Sequence, residues 1–549
     1  MKNWLAALMM GIVCHPVAAQ TIPAGMPVLE ETGRRLQLHG QLNQDISFAV
    51  RPLQLTTLLT DSSAPNSDLF YLRDSTASIR FAKTKGLVRL QPLTLRQQFN
   101  SRYAYLSSDG AMIPAKGYQT LVSAGVYASL GPLSIQLQPE FLFAQNPKLA
   151  NFPAGYNDTL WRTYYYTVAN RVDAPEQFGK GAYARLFPGQ SSIRFNFKKF
   201  SLGFSTENLW WGPGQRNALL MSNSAPGFPH LTFNTTAPIH SPIGSFEGQF
   251  LSGWLHKSGF LPADTSRRFN GQRLYDPKPA NNRYLNGVIL TWQPKWTKGL
   301  FLGFARTFYL YQNDIEASLD GYLPVIGSLF KGDESSAQNE DGRRRDQMLS
   351  LFFRLLLPKE NAEIYGEFGR NDHSGNLPDL LMEPEHSRAY VIGLRKLFTK
   401  PGKAEIEVFA ELCTLQMPNT INIREQESWY SHYQVRDGYT HLGQVIGASV
   451  GSGGSSQTIG VNYLKNNQKT GLLLERIVHN NDFYYEAFSS SGEYWRHWVD
   501  LSVQLNKSWR QKKFLYDARL GWMKSLSYQW QPDTNLQNFH LVLSVSYLF

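Results

Sequence analysis

The stretch that decides the fold class is the last one, Phe539-His540-Leu541-Val542-Leu543-Ser544-Val545-Ser546-Tyr547-Leu548-Phe549. Its odd positions (Phe539, Leu541, Leu543, Val545, Tyr547 and Phe549) are all apolar. Its even positions carry His540, Ser544 and Ser546, with Val542 and Leu548 as exceptions. Successive side chains of a strand point to opposite faces, so one face stays apolar along the whole segment. A strand of about 9–11 residues crosses a bilayer at a tilt.

The same alternation recurs upstream. Ile193, Phe195 and Phe197 alternate with Arg194, Asn196 and Lys198. Ile406, Val408, Ala410 and Leu412 alternate with Glu405, Glu407, Phe409 and Glu411. Val499 to Leu505 and Phe514 to Trp522 repeat the pattern against polar partners. Each segment offers one face to lipid and one to water, which a soluble sandwich seldom needs at this length. Ending on an aromatic residue also resembles the C-terminal signal read by barrel-insertion machinery.

Composition agrees with this reading. Mean hydropathy is −0.34, that of a water-soluble chain, yet charged residues make up only 18%, below the roughly 25% of soluble domains. Aromatics are abundant, with 33 Phe, 27 Tyr and 13 Trp. Beyond the N-terminus no window of about 18 apolar residues could form a spanning helix. A transmembrane β-barrel accommodates all of this, because its strands are apolar at alternate residues and its aromatics gather at the two interfaces. Short connections at Leu130-Gly131-Pro132, 398–403 and 466–470 contrast with long ones at 146–190, 312–345 and 416–440. About 18 antiparallel strands are predicted, enough for an aqueous lumen.

Residues 1–19 read as a signal peptide. Lys2 gives a positive start, Trp4 to Val13 is mostly apolar, and Val17-Ala18-Ala19 offers small residues before Gln20. Removal of Cys14 with that segment would leave Cys413 as the sole thiol, so no disulfide staples the fold. Residues 20–73 are predicted to be a small, partly helical N-terminal periplasmic segment, with helical pieces at Met26 to Gly40 and Leu53 to Leu59 that cap or plug the barrel. Residues 74–549 are predicted to be an outer-membrane barrel. The net charge of +11 suits an acidic partner. For an exported chain that points to anionic glycan or lipopolysaccharide phosphates rather than nucleic acid.

One stretch is more specific. Phe204 to Pro229 reads FSTENLWWGPGQRNALLMSNSAPGFP, followed by Thr236-Ala237-Pro238-Ile239, by Pro242 to Glu247, and by Leu255-His256-Lys257-Ser258-Gly259. Tyr430 to Gly451 reads YSHYQVRDGYTHLGQVIGASVG, and Ser47 to Pro52 reads SFAVRP. These resemble the capsule assembly protein Wzi family, with Ser224 and Gly227 standing where the motif's spelling differs. The resemblance implies an 18-stranded outer-membrane barrel with helical structure at its periplasmic side. It also implies a lectin-like role, retaining or helping to assemble capsular or exopolysaccharide at the cell surface.

Candidate polysaccharide-binding residues follow from chemistry. Trp210 and Trp211, entering the turn Gly212-Pro213-Gly214, could stack on sugar rings, one of the pair serving the interfacial aromatic girdle instead. Arg216, Asn217 and Asn223 suit carboxylates and hydroxyls. Alternatively they brace a buried loop, with Glu207 pairing Arg216. Trp429, Tyr433 and Arg436 form an aromatic–basic cluster, a composition that interface aromatics also give. The run Arg343-Arg344-Arg345 reads as loop charge.

Catalytic signals are weak. Glu383-Pro384-Glu385-His386 and Asp372-His373 lack the spacing of a zinc site, and no Gly-x-Ser-x-Gly elbow occurs. Neither cofactor nor metal is expected. The expected partners are capsular or exopolysaccharide and outer-membrane lipids including lipopolysaccharide, with the chain itself a monomer. Two other classes remain in view: a porin-like or polysaccharide-export channel, and an outer-membrane glycan or lipid hydrolase.

Overall fold

In the computed structural model the chain is described over residues 20–24, 26–60, 78–83, 85–105, 107–327, 344–371, 382–400, 404–418, 426–466, 468–489 and 492–549. The signal-peptide segment, Arg343 and the pair Asp372-His373 lie outside the described residues.

Eighteen antiparallel strands close into one barrel. They are β1 (Gly86–Asn100), β2 (Gly117–Leu130), β3 (Leu133–Leu137 with Glu140–Ala144), β4 (Tyr183–Phe187 with Ser192–Phe197), β5 (Phe200–Ser205) and β6 (His230–Thr235 with Ile239–Ser241). Next come β7 (Gly244–Leu255), β8 (Arg283–Pro294), β9 (Leu300–Tyr311), β10 (Arg345–Leu357), β11 (Ala362–Asn371) and β12 (Arg388–Lys400). The last six are β13 (Ala404–Thr414), β14 (Ser455–Lys465), β15 (Gln468–Val478), β16 (Val499–Gln511), β17 (Phe514–Leu526) and β18 (Leu536–Tyr547). Each strand pairs with its neighbour in sequence. The ring closes where β18 meets β1, from His540 opposite Asn100 to Tyr547 opposite Leu93. In lipid an unpaired backbone group costs several kcal/mol, so only a closed sheet is stable there.

The alternation read from sequence is the alternation seen. Ile193, Phe195, Leu501, Val503, Leu505, Leu520, Phe539 and Leu541 are exposed on the outer wall, whereas Arg194, Asp500, Ser502, Gln504 and His540 are buried inside. Short turns (131–132, 198–199, 242–243, 358–361) occupy one end of the barrel, and long connections (101–116, 145–182, 256–282, 415–454) the other. One correction concerns 146–190, expected to be a single loop: Tyr183–Phe187 within it is a strand that pairs with β3. Its five residues stop at Pro188-Gly189, too short a run for alternation to register.

The N-terminal segment lies inside the ring at the short-turn end. Helix α1 (Pro27–Leu38) begins with proline at its first turn, where the missing N–H costs nothing. Short helix α2 (Leu55–Thr60) follows. Helix α1 is fixed by charge. Arg34 donates to Glu363 of β11 at 3.1 Å, Lys469 of β15 reaches Glu31 at 2.7 Å, and His39 lies 2.8 Å from Glu405 of β13. Glu363 is also met by Arg354 at 2.6 Å and Arg395 at 3.7 Å, so several buried arginines converge on it. Buried charge of this kind is tolerable only when paired and hydrogen-bonded.

Leu474 stands outward on the middle of β15, with Leu473 buried on the opposite face. The variant Leu474→Arg is expected to destabilise the barrel by about 2–4 kcal/mol, as basic residues do at mid-bilayer on a lipid face. Equilibrium folding into phosphatidylcholine vesicles measures this; an unchanged folding free energy would contradict a lipid-facing position.

Candidate functional site

The segment 206–229, between β5 and β6, does not project from the barrel. It turns back into the lumen and meets the N-terminal segment there. Trp210–Trp211 pairs antiparallel with Val50–Arg51. Gly212 N–H donates to the carbonyl of Ala49 at 2.9 Å, and Trp211 N–H to that of Met221 at 3.0 Å. Arg51 lies over the Trp210 ring at 4.5 Å, pairs with Glu30 at 2.6 Å, and donates to the carbonyls of Gly212 and Gly214 at 3.1 and 2.9 Å. Thus the SFAVRP and WWGPG stretches are two halves of one junction.

The turn requires its glycines. A Cβ on Gly214 would stand 1.9 Å from the carbonyl oxygen of Asn217, and one on Gly227 would stand 2.0 Å from that of Thr206. No side chain fits such approaches. The tight turn aims three successive backbone amides at one carboxylate. Gln215, Arg216 and Asn217 N–H donate to Glu411 of β13 at 2.8, 3.1 and 2.8 Å, and the Tyr365 hydroxyl adds a fourth bond at 2.8 Å. A carboxylate held by several N–H groups replaces lost hydration with charge-assisted bonds. Leu219 N–H reaches Glu367 at 3.3 Å, and Arg34 donates to the Pro213 carbonyl at 2.8 Å.

The predicted site residues therefore separate into two places. Trp211 is fully buried, its indole N–H bonded to Gln249 of β7 at 2.8 Å. Trp210 is buried as well, so neither belongs to a membrane girdle; the two neighbours face opposite ways inside the lumen. Arg216 pairs with Glu475 of β15 at 2.8 Å, and Glu207 with Arg194 of β4 at 2.6 Å. The expected Glu207–Arg216 pair is thus replaced by two pairs to the wall, because each side chain faces a different part of the ring. Asn223 donates to the Ser108 carbonyl at 2.9 Å. Trp210, Arg216, Asn217 and Asn223 border an internal cavity of about 130 Å³ that also touches Gln504 and Arg519.

The second place is the long-loop end. Trp429 is buried there, its indole donating to the Ser387 carbonyl at 3.0 Å. The adjacent Tyr430 hydroxyl donates to the Leu219 carbonyl at 2.7 Å and so ties segment 415–454 to the inward segment. Tyr433, by contrast, is 43% exposed, and Arg436 pairs with Asp276 and donates to the Pro277 carbonyl. Around them rises an aromatic wall. Helix α3 (Asp158–Tyr164) packs on helix α4 (Asn481–Phe488), with Phe152 stacked on Tyr164 at 4.0 Å and Phe483 edge-on to Trp530 at 4.6 Å. Its outer rim carries Tyr166, 65% exposed, under Arg171 at 4.8 Å, and Phe269 under Arg162 at 4.9 Å.

Of this rim, Tyr433 and Arg436 stand out in the sequence, whereas Arg162, Tyr166, Arg171 and Phe269 do not, being scattered over two other loops. Only the run Tyr164-Tyr165-Tyr166 between Arg162 and Arg171 hints at them. In the arginine run, Arg345 is buried with Asp320 at 3.6 Å and Arg344 is exposed beside Asp314. His386 is buried and Glu385 lies near Arg388; among the described residues no three His, Cys, Asp or Glu side chains gather as metal ligands.

The variant Glu411→Ala strips the acceptor from five donors, the Asn217 side-chain amide included, and is expected to cost about 3 kcal/mol. It should also speed amide exchange across 206–229, read by hydrogen–deuterium exchange in detergent; unchanged protection there would refute the anchoring role. Asp482 of α4 accepts from Met417 N–H at 2.8 Å and from Ser428, yet burial pushes its carboxyl up to about 6. A raised acid binds its proton more tightly in the docked state. Docking of 415–430 on α4 should therefore weaken as pH rises from about 4 to about 6 and level off above. Amide exchange across 481–488 measures this, and Asp482→Asn should flatten the profile.

Comparison with known proteins can now be set beside this geometry. The sequence model of the family Capsule assembly protein Wzi matches residues 115–519. No curated protein sequence matches the chain. Among solved structures, Wzi of Escherichia coli shares 14% identity at a TM-score of 0.60, with 94% of this chain and 98% of that one covered. That protein is described as an outer membrane protein involved in group 1 capsule assembly and a carbohydrate-binding β-barrel. OccK7 of Pseudomonas aeruginosa shares 10% at a TM-score of 0.39, covering 83% of this chain and 98% of that one. OprD of the same organism shares 9% at 0.36, covering 87% and 95%. Likeness at these identities speaks to the fold alone. The family match, extending over most of the chain and taking in the inward Trp-Trp-Gly-Pro-Gly segment, shows that this protein belongs to the capsule assembly protein Wzi family.

Proposed function

We propose that this protein is an outer-membrane lectin that holds capsular or exopolysaccharide at the cell surface, after removal of residues 1–19. In this reading the long-loop end faces outward and the short-turn end faces the periplasm. The observation that carries the reading is the exposed aromatic–basic rim at the long-loop end, in a family named for capsule assembly. Tyr166, Phe269 and Tyr433 offer ring faces to sugars, while exposed Arg162 offers a planar donor to carboxylates and hydroxyls. The rim is open and shallow, suited to a long polymer touching several such proteins. Weak single contacts then sum through multivalency.

The residues inside the lumen take a supporting part. Trp211 and Trp429 fix the inward segment and the loop above it. Trp210, Arg216, Asn217 and Asn223 border the internal cavity, where polymer would have to displace bonded partners. Helix α1 and segment 206–229 cross the lumen and bond to its wall. That arrangement favours retention over passage through an open pore.

The test is binding of purified surface polysaccharide to the detergent-solubilised chain. The double variant Tyr166→Ala/Tyr433→Ala should weaken oligosaccharide binding by about tenfold or more, since each aromatic contact contributes about 0.5–1.5 kcal/mol. The barrel should remain assembled and surface glycan should appear in the medium. Unchanged affinity and retention would overturn this placement of the site. Steady conductance in a planar bilayer would favour a channel instead.

A further inference from the structure

We propose that the outer wall of strands β9 to β12 carries a binding site for the phosphorylated headgroup of an outer-leaflet glycolipid, of lipopolysaccharide chemistry. The site is separate from the polysaccharide rim and does not depend on it.

Strand alternation places four arginines on that wall. Arg306 lies four residues beyond exposed Leu302, and Arg345 six before exposed Leu351. Arg370 lies two beyond exposed Phe368, and Arg388 four before exposed Ile392. All four sit toward the long-loop ends of their strands. The ladder aligns three of them: Arg306 is opposite Leu349, Leu349 opposite Arg370, and Arg370 opposite Arg388. Three strand spacings separate Arg306 from Arg388, about 14 Å, wide enough for a headgroup with more than one phosphate.

On the strands themselves the outward-facing charge is basic. The carboxylates of these strands, Asp346, Glu363 and Glu367, are buried on the inner face. The outward positions beside the arginines include Leu349, Leu351, Phe368 and Tyr390. Among the described residues of the connections, Asp320 lies 3.6 Å from Arg345, and Glu385 lies 3.9 Å from Arg388. The guanidinium groups are held flat on aromatic rings. Arg306 and Arg345 lie over Phe308 at 4.7 and 4.9 Å, and Arg388 lies over Tyr390 at 5.5 Å. A planar fork held in place matches phosphate oxygens without further loss of rotamer freedom. Arg306 and Arg388 are the partly exposed pair that would touch the ligand; Arg345 and Arg370 are buried beside them.

A second observation points to lipid rather than to a soluble anion. The described start of the connection after β9, residues 312–327, turns along the outer wall. Its helical turns Leu319–Tyr322 and Pro324–Gly327 fold against the outside of the barrel. Val325 N–H donates to the outward Asn286 at 3.2 Å, and the outward Tyr284 hydroxyl donates to the Tyr322 carbonyl at 2.5 Å. From this flap Leu319 and Tyr322 stand 73% and 54% exposed, beside the arginines and at the edge of the apolar band. Apolar side chains at that level suit acyl chains, and an aromatic with a hydroxyl suits the interface.

The test uses the full mature chain in detergent with three probes: bisphosphorylated lipid A, the same lipid with its phosphates removed, and inorganic phosphate. Unmodified protein should bind bisphosphorylated lipid A at least about tenfold more tightly than the dephosphorylated form, given the attraction of basic residues at a membrane surface. Inorganic phosphate should not compete at equal concentration. Arg306→Ala/Arg388→Ala should erase the preference, while Arg268→Ala/Arg273→Ala on the exposed loop hairpin should keep it. Equal binding of both lipids by the unmodified protein would overturn the proposal, whether or not the double variant assembles. So would full retention of the preference by an assembled double variant, or competition by free phosphate alone.

Discussion

The pairing of β18 with β1 is the constraint from which the other features follow. Backbone N–H and C=O groups have no partner in hydrocarbon, so the sheet must have no edge. Once eighteen strands are needed to close it, the ring is wide and its interior large. The inner faces of the strands cannot be apolar, because the same residues line a space water can enter. They carry Glu247, Glu363, Glu367, Glu411, Arg354 and Arg395, all buried. These charges must be met by something, and what meets them is the chain itself. Helix α1 brings Arg34, Arg35 and Glu31, and the inward segment brings its backbone amides.

The filling is therefore specific rather than greasy. An apolar plug would be indifferent to rotation inside a barrel. A plug held by Arg34 on Glu363, Lys469 on Glu31 and three amides on Glu411 has one orientation. Such pairs add little net stability against water, but breaking one leaves a charge stranded. Their effect is to fix position. They hold Trp210–Trp211 against Val50–Arg51, and through Tyr430 they hold the base of the outer loops.

The strands were legible because lipid on one side and water on the other write a period of two into the sequence. The terminal segment Phe539 to Phe549 and the runs around Ile406 and Val499 show it without help from context. Helix α1 showed itself as apolar positions among Glu and Arg. The inward turn of 206–229 was not legible, because its direction depends on Glu411 and Glu367, some two hundred residues away. Sequence could present Trp-Trp-Gly-Pro-Gly as a tight aromatic turn, but not say on which side of the wall the turn would lie. The loop rim was legible only in part: Tyr433 stood out beside Arg436, whereas Tyr166 and Phe269 come from two other loops with little local signal.

A motif dense in Trp, Gly, Arg and Asn invites a binding reading, and the burial of Trp211 shows why composition alone misleads. The features that stack on sugars also pack a turn against a wall: flat rings, rigid backbone and paired donors. What separates the two uses is whether the donors are already satisfied. In the inward segment the Trp211 indole, the amides of Gln215 to Asn217 and the Arg216 guanidinium each have a protein partner, so a ligand there would have to break bonds before making any. At the rim Tyr166 and Tyr433 are 65% and 43% exposed, so much of each ring is open to a ligand. Through Trp429 and Tyr430 the filled interior also gives the outer loops a rigid base, so they need not fold alone.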